Sequence, residues 1–221
     1  MTRSNLIVLI ACQLAITLLF FSQFSESFYA NDSYRFLSLA ENLALYAKFS
    51  LPGQIAETFR TPGYPFLLAG SFYLNLDPIL YALVLNTVAF SFLVFYSHKA
   101  GLLMGLDTGA NRLFLMLLML SPSITFYRHQ ILSELPFSAT MMVAFYYFCS
   151  FVKKESVFDL SLVFLFVLLA TFIRPISLYL IYLTGIFSLF YILLKFNYKK
   201  MQGIILCSVL LGLSVYGVQI W

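Results

Sequence analysis

Apolar residues fill this chain in long unbroken runs, and polar residues collect between them. The runs cover residues 6–24, 78–96, 110–127, 132–151, 157–173, 176–196 and 203–221. A helix rises about 1.5 Å per residue, so about 20 apolar residues cross a hydrocarbon core of about 30 Å. The pattern predicts an all-α membrane protein with about seven transmembrane helices, in a single integral-membrane domain over residues 1–221. The first run is longer than the core of a cleaved leader, and Ser25-Glu26-Ser27 is a poor exit site, so the run is expected to be retained.

One stretch breaks the pattern. Residues 25–77 form an expected extracytoplasmic loop, with its most polar part at 31–66. Asn31, Asp32 and Ser33 suit a helix N-terminus, and Phe36, Leu39, Ala40, Leu43 and Ala47 then recur at helical spacing. An amphipathic helix to about Lys48, lying along the membrane surface, is expected. Pro52-Gly53 ends it, Pro62-Gly63 makes a second turn, and Pro65 opens a further juxtamembrane helix to about Leu76. Within the third run, Pro122 should kink the span. Arg174-Pro175 joins the fifth and sixth runs with almost no loop.

Composition agrees with this reading. Residues are 62% hydrophobic and only 10% charged, against about 25% charged in soluble domains. With the N-terminus cytoplasmic, eight of the thirteen lysines and arginines fall inside and five outside. That bias follows the positive-inside rule, so the net charge of +4 reports topology rather than affinity for nucleic acid. Cys12, Cys149 and Cys207 each sit in a different apolar run, which offers neither a disulfide framework nor a metal spacing. Gly101 to Gly105 and Ser208 to Gly212 have the small-xxx-small spacing of close helix packing.

Charge is costly near a bilayer, so the outer ionisable residues single themselves out. Arg128, Glu134 and Arg174 cap three runs on the side where Asp32 and Arg60 also lie. Together they describe a polar cavity floored by helix ends and roofed by the amphipathic helix. Arginine forks suit a phosphate, and a carboxylate suits proton abstraction from a hydroxyl or a divalent cation. Each has a plainer role open to it. Asp32 could cap its helix, the arginines could sit among headgroups, Glu134 could pair with Arg128, and His129 could be an interfacial polar residue.

Several fragments together resemble the GT-C membrane glycosyltransferases, in particular the protein O-mannosyltransferases and the bacterial aminoarabinose and lipopolysaccharide-core sugar transferases. They are Asp32-Ser33-Tyr34, Leu39-Ala40-Glu41-Asn42-Leu43, Arg60-Thr61-Pro62-Gly63-Tyr64-Pro65, Ser133-Glu134-Leu135-Pro136-Phe137 and Arg174-Pro175. The resemblance implies transfer of a sugar from a polyprenyl-phosphate carrier to a hydroxyl acceptor (lipid, glycan or protein). The site would face outward from a bacterial inner membrane. It assigns Asp32 as general base, with Glu134 orienting an arginine or the acceptor. Arg60, Arg128, His129, Arg174 and Tyr64 fall to the carrier phosphate. No metal ligand set is expected, although some relatives use a divalent cation; many carry a second acid where this chain has Ser33. Relatives continue past seven spans, so the chain is expected to correspond to their N-terminal module without the C-terminal domain, with a partner membrane chain as one way to complete it. A carrier-binding or transport protein without chemistry stays open as the alternative.

Overall fold

A computed structural model describes residues 28–53, 57 and 60–195, together with Ala11, Ala15 and Leu19. The expected spans at 6–24 and 203–221 lie outside the described residues, as do Cys12, Cys207 and the Ser208–Gly212 pair. Within the described residues every regular element is helical. In chain order they are α1 (Ser33–Tyr46), α2 (Gly63–Tyr73), α3 (Pro78–Leu103), α4 (Thr108–Leu120), α5 (Pro122–Arg128), α6 (Glu134–Lys154), α7 (Val157–Ile173) and α8 (Leu178–Lys195). A 3-10 turn, Pro175–Ser177, separates the last two.

Short polar side chains mark where the helices start. Asp77 accepts the N–H of Leu80 at 2.7 Å with Pro78 behind it, and Asp107 accepts the N–H of Ala110 at 2.7 Å. Such caps satisfy donors that a helix start leaves open, for about 1 kcal/mol each. At the end of α1, Ala47 takes a left-handed φ of 52° and closes the last turn through its N–H to Leu43 O.

Among the described residues two helices, α3 and α6, are long and apolar enough to cross a membrane. A third span results if α4 and α5 count as one, bent by 54° at the Ser121–Pro122 break. The kink expected at Pro122 is therefore a break between two helices, because proline lacks the N–H that would continue the ladder. The helix α7 is apolar but shorter, at 17 residues. The helix α3 continues past the expected end at Tyr96 to Leu103. His98 and Lys99 do not stop it: Asn111 of α4 holds His98, and the Lys99 ammonium lies 4.6 Å from the ring centroid of Phe95.

The helix α6 is the centre of the packing, with α3 on one side and α7 on the other. One core cluster joins α6, α7 and α8 through Phe151, Leu160, Phe164 and Ile181. A second joins α3, α4 and α6 through Phe90, Leu93, Leu115 and Ala139. The third sits at the end where α3 and α6 begin and α5 and α7 finish. There Phe36 and Ala40 of α1 pack with Tyr64 and Leu68 of α2, and with Ala82 and Ile131. The face of α1 built from Phe36, Leu39 and Ala40 is thus buried on α2 and the helix ends. Gly101 packs so closely on Asn111 that a β-carbon there would meet its side-chain oxygen, whereas Gly105 lies past the end of α3 with nothing within 4 Å of an added carbon, so only the first glycine of that spacing makes a helix contact.

A polar site where the helix ends meet the surface helices

Hydrogen bonds between distant segments build one end of the bundle. Ser33 is fully buried; its hydroxyl accepts the N–H of Ala30 at 2.8 Å and donates to Ile131 O at 2.9 Å. Phe28 O accepts the N–H of Ile131 at 3.1 Å, so the start of the loop grips the α5–α6 turn from both sides. On the far side, the Thr61 hydroxyl donates to Ile173 O at 2.9 Å. A β-carbon on Gly63 would fall onto the Phe172 carbonyl, so only glycine lets this turn lie flat against the end of α7. The Arg60–Pro65 string is therefore in direct contact with Phe172 and Ile173, the last residues of α7 before the Arg174-Pro175 turn.

Each singled-out side chain lies in this assembly. Asp32 makes no side-chain cap for α1. Its carboxylate instead accepts from Arg60 Nη2 at 2.7 Å, and the Arg60 guanidinium lies 4.7 Å from the Phe36 ring centroid. The Asp32 side chain is 52% exposed, whereas that of Arg60 is 18% exposed, so the acid faces outward over a half-sheathed cation. Tyr64 is fully buried, edge-on to Phe36 at 5.0 Å. Burial, reinforced by the nearby charge of Glu134, pushes the phenol up and keeps it protonated as a donor.

The expected Glu134–Arg128 pair does not form. Glu134 Oε1 lies 3.1 Å from Nη1 of Arg174, whose guanidinium also stands 5.9 Å from the Phe137 ring centroid. Arg128 is only 5% exposed and has no carboxylate within salt-bridge distance among the described residues. Its guanidinium stands 5.6 Å from the Phe90 ring centroid, and Nη2 lies 3.3 Å from His129 Nε2. Arginine can only donate, so His129 Nε2 accepts and its proton sits on Nδ1, which donates to Thr125 O at 2.8 Å. Burial pushes His129 below its usual 6.5, against the pull of the Thr125 hydrogen bond, and the Arg128 charge pushes the same way. A neutral imidazole beside an arginine short of negative partners leaves this corner positive.

Asn86 escaped the sequence reading. It is fully buried in α3, and its amide donates to Gln130 O at 2.7 Å and Arg128 O at 3.2 Å, with Tyr127 O at 3.4 Å. One side chain thereby gathers the carbonyls of the turn that carries Arg128 and His129. An asparagine inside an apolar run was the available signal, since a buried polar side chain has to find partners.

Six buried side-chain atoms in this region have no hydrogen-bond partner among the described residues. Arg60 Nε, Tyr64 Oη and Arg128 Nε are donors; Asn86 Oδ1, Gln130 Oε1 and Glu134 Oε2 are acceptors. Burying such groups unmet costs about 1–3 kcal/mol each, and six of them gather at this one end. The Ser33 hydroxyl is spent on Ile131, and no three His, Cys, Asp or Glu side chains converge among the described residues.

Beside this region a cleft of about 460 Å³ opens between α3, α4, α5 and α6. Leu93, Leu118, Ile124, Met141 and Phe145 line it, and Glu134 is its only charged lining residue among the described residues. Comparison with known proteins finds no matching family model, no matching curated protein and no matching solved structure.

Proposed function

We propose that this chain is a membrane glycosyltransferase of the GT-C type, moving a sugar from a polyprenyl-phosphate carrier to a hydroxyl acceptor. In this reading seven spans place the site on the extracytoplasmic face of a bacterial inner membrane. The observation that carries the proposal is the gathering of unmet buried donors and acceptors at the end that holds Asp32, Arg60, Arg128 and Arg174. Mixed donors and acceptors suit a ligand that is both anionic and hydroxylated, as a sugar phosphate is.

Asp32, the most exposed acid of the site, takes the acceptor's proton as the acceptor oxygen forms its bond to the anomeric carbon. The bond from that carbon to the carrier phosphate breaks, and the phosphate leaves with the electron pair and inversion of the sugar. Arg60, Arg128 and Arg174 stabilise the charge that gathers on the leaving phosphate, and the protonated Tyr64 hydroxyl and His129 complete its surroundings.

The test is transfer from labelled polyprenyl-phosphate sugars in membranes containing the chain. Asp32→Asn should cut transfer about 10²–10⁴-fold while the protein keeps its yield in the membrane. Near-normal transfer by that variant removes Asp32 as the base. The Asp32–Arg60 pair favours a second reading, in which the acid only holds an arginine and the chain binds the carrier without chemistry. That reading expects carrier binding dependent on Arg60 and no sugar turnover.

A further inference from the structure

The corner built by Arg128 and His129 carries a consequence that rests on the transferase reading and deepens it. Thr125 O fixes one end of the imidazole, because only a protonated Nδ1 can donate to it across 2.8 Å. The other ring nitrogen, Nε2, faces Nη2 of Arg128 at 3.3 Å, and a guanidinium can only donate. That contact therefore exists only while Nε2 carries no proton. The Phe28 ring centroid stands 6.5 Å from that of the imidazole, and the Phe90 centroid 5.6 Å from the guanidinium, so aromatic rings flank both groups.

The charged side chains of this end form two pairs and a remainder. Asp32 and Arg60 from the loop hold each other, as do Glu134 at the start of α6 and Arg174 after the end of α7. The α3 side chains at the corner, Asn86 and Phe90, are uncharged, and the buried Tyr64 phenol stays protonated. Arg128 is the remainder, buried and with no carboxylate within salt-bridge distance among the described residues. A second proton on the His129 ring turns Nε2 into a donor facing a donor and sets two cations side by side. The imidazole stays anchored, because Nδ1 donates to Thr125 O in both forms. Arg128 is the group that turns away.

We infer that His129 is a positioning residue: its proton-free Nε2 holds the Arg128 guanidinium toward the carrier phosphate, and one proton on the ring withdraws it. His129 thus acts on the phosphate through Arg128. Grip on the donor is lost in acid at this histidine, separately from the base, Asp32.

Nitrogen-15 NMR of the full chain in detergent, labelled at histidine, reads the proton directly, because the sequence holds only two histidines. The signal missing from His129→Gln is that of His129. It should show the Nδ1–H tautomer at neutral pH and titrate with a midpoint below 6.5. Transfer from a labelled polyprenyl-phosphate sugar reads the consequence. This donor is a phosphodiester and keeps one charge throughout, whereas a monoester takes up a second proton at about pH 6. Wild-type kcat/KM for the donor should fall about tenfold per pH unit below the same midpoint. His129→Gln offers Arg128 a neutral amide oxygen, so it should keep near-normal kcat/KM at neutral pH and move the acid limb lower. His129→Leu removes the acceptor and should lose about tenfold or more at every pH, chiefly through KM.

An Nε2–H tautomer, a midpoint at or above 6.5, or an acid limb unchanged in His129→Gln would each overturn the inference. So would a grip on the donor that tightens in acid, as an imidazolium touching the phosphate would give. Absence of transfer by the wild-type chain would instead fail the transferase reading. The tautomer then still decides the hold on Arg128, together with thermal stability. An unfolded chain takes this proton first, so the wild type should lose stability over the pH unit below 6.5 and His129→Gln should not.

Discussion

Glu134 Oε1 and Arg174 Nη1 meet at 3.1 Å, tying the first turn of α6 to the residue that ends α7. Both side chains keep some exposure, 25% and 39%, so the pair itself contributes no more than about 1 kcal/mol. Arg174→Ala should lower thermal stability in detergent by about that amount. The swapped double variant, Glu134→Arg with Arg174→Glu, should recover the stability but not the transfer. Recovery of both would mean that the pair is only a strut between helices.

Tyr64 gives an experiment in which stability and activity move apart. Its hydroxyl is buried without a partner among the described residues, so Tyr64→Phe should leave stability unchanged or raise it by about 1 kcal/mol. If the hydroxyl meets the ligand, transfer falls at the same time. A variant that is both more stable and fully active would remove Tyr64 from the site.

Asn86→Leu removes the amide that gathers the turn carbonyls of Tyr127, Arg128 and Gln130. Unfolding in detergent should show a loss of about 1–3 kcal/mol. Transfer should fall through a poorer hold on the carrier, seen as a raised KM rather than a changed pH profile, because Asn86 acts by positioning Arg128. An unchanged KM would confine Asn86 to a packing role.

Gly63→Ala forces a β-carbon onto the Phe172 carbonyl, and the turn must lift off the end of α7. The expected cost is about 1–3 kcal/mol together with a loss of transfer, because Arg60 and Arg174 no longer share one frame. Gly53→Ala serves as the comparison: its φ of 80° imposes about 1 kcal/mol of strain, but nothing stands within 4 Å of the added carbon. Transfer should survive at Gly53 and fail at Gly63.

Hydrophobic period and turn chemistry made the elements legible: α7 begins and ends where its apolar run does, and the break at Pro122 was marked by the proline itself. Ends set by side-chain packing were not legible. The helix α3 runs on to Leu103 because His98 and Lys99 find Asn111 and Tyr146 on neighbouring helices and Phe95 on their own. The gathering of outer ionisable residues could be read from their positions at run ends. Their pairing could not. Arg128 is near Glu134 in sequence, yet the packing of α7 on α6 delivers Arg174 to it, and Asp32 faces a cation rather than its own helix.

The grip on Ile131 also bears on how the protein is made. Its carbonyl is held by Ser33, which leaves the ribosome 98 residues earlier, and its N–H by Phe28. The Thr61 hydroxyl likewise waits for Ile173, 112 residues downstream. The polar loop emerges among the first segments, yet its partners arrive only after several more helices have been synthesised. This end of the bundle therefore cannot close until the last residues of α7 have been made.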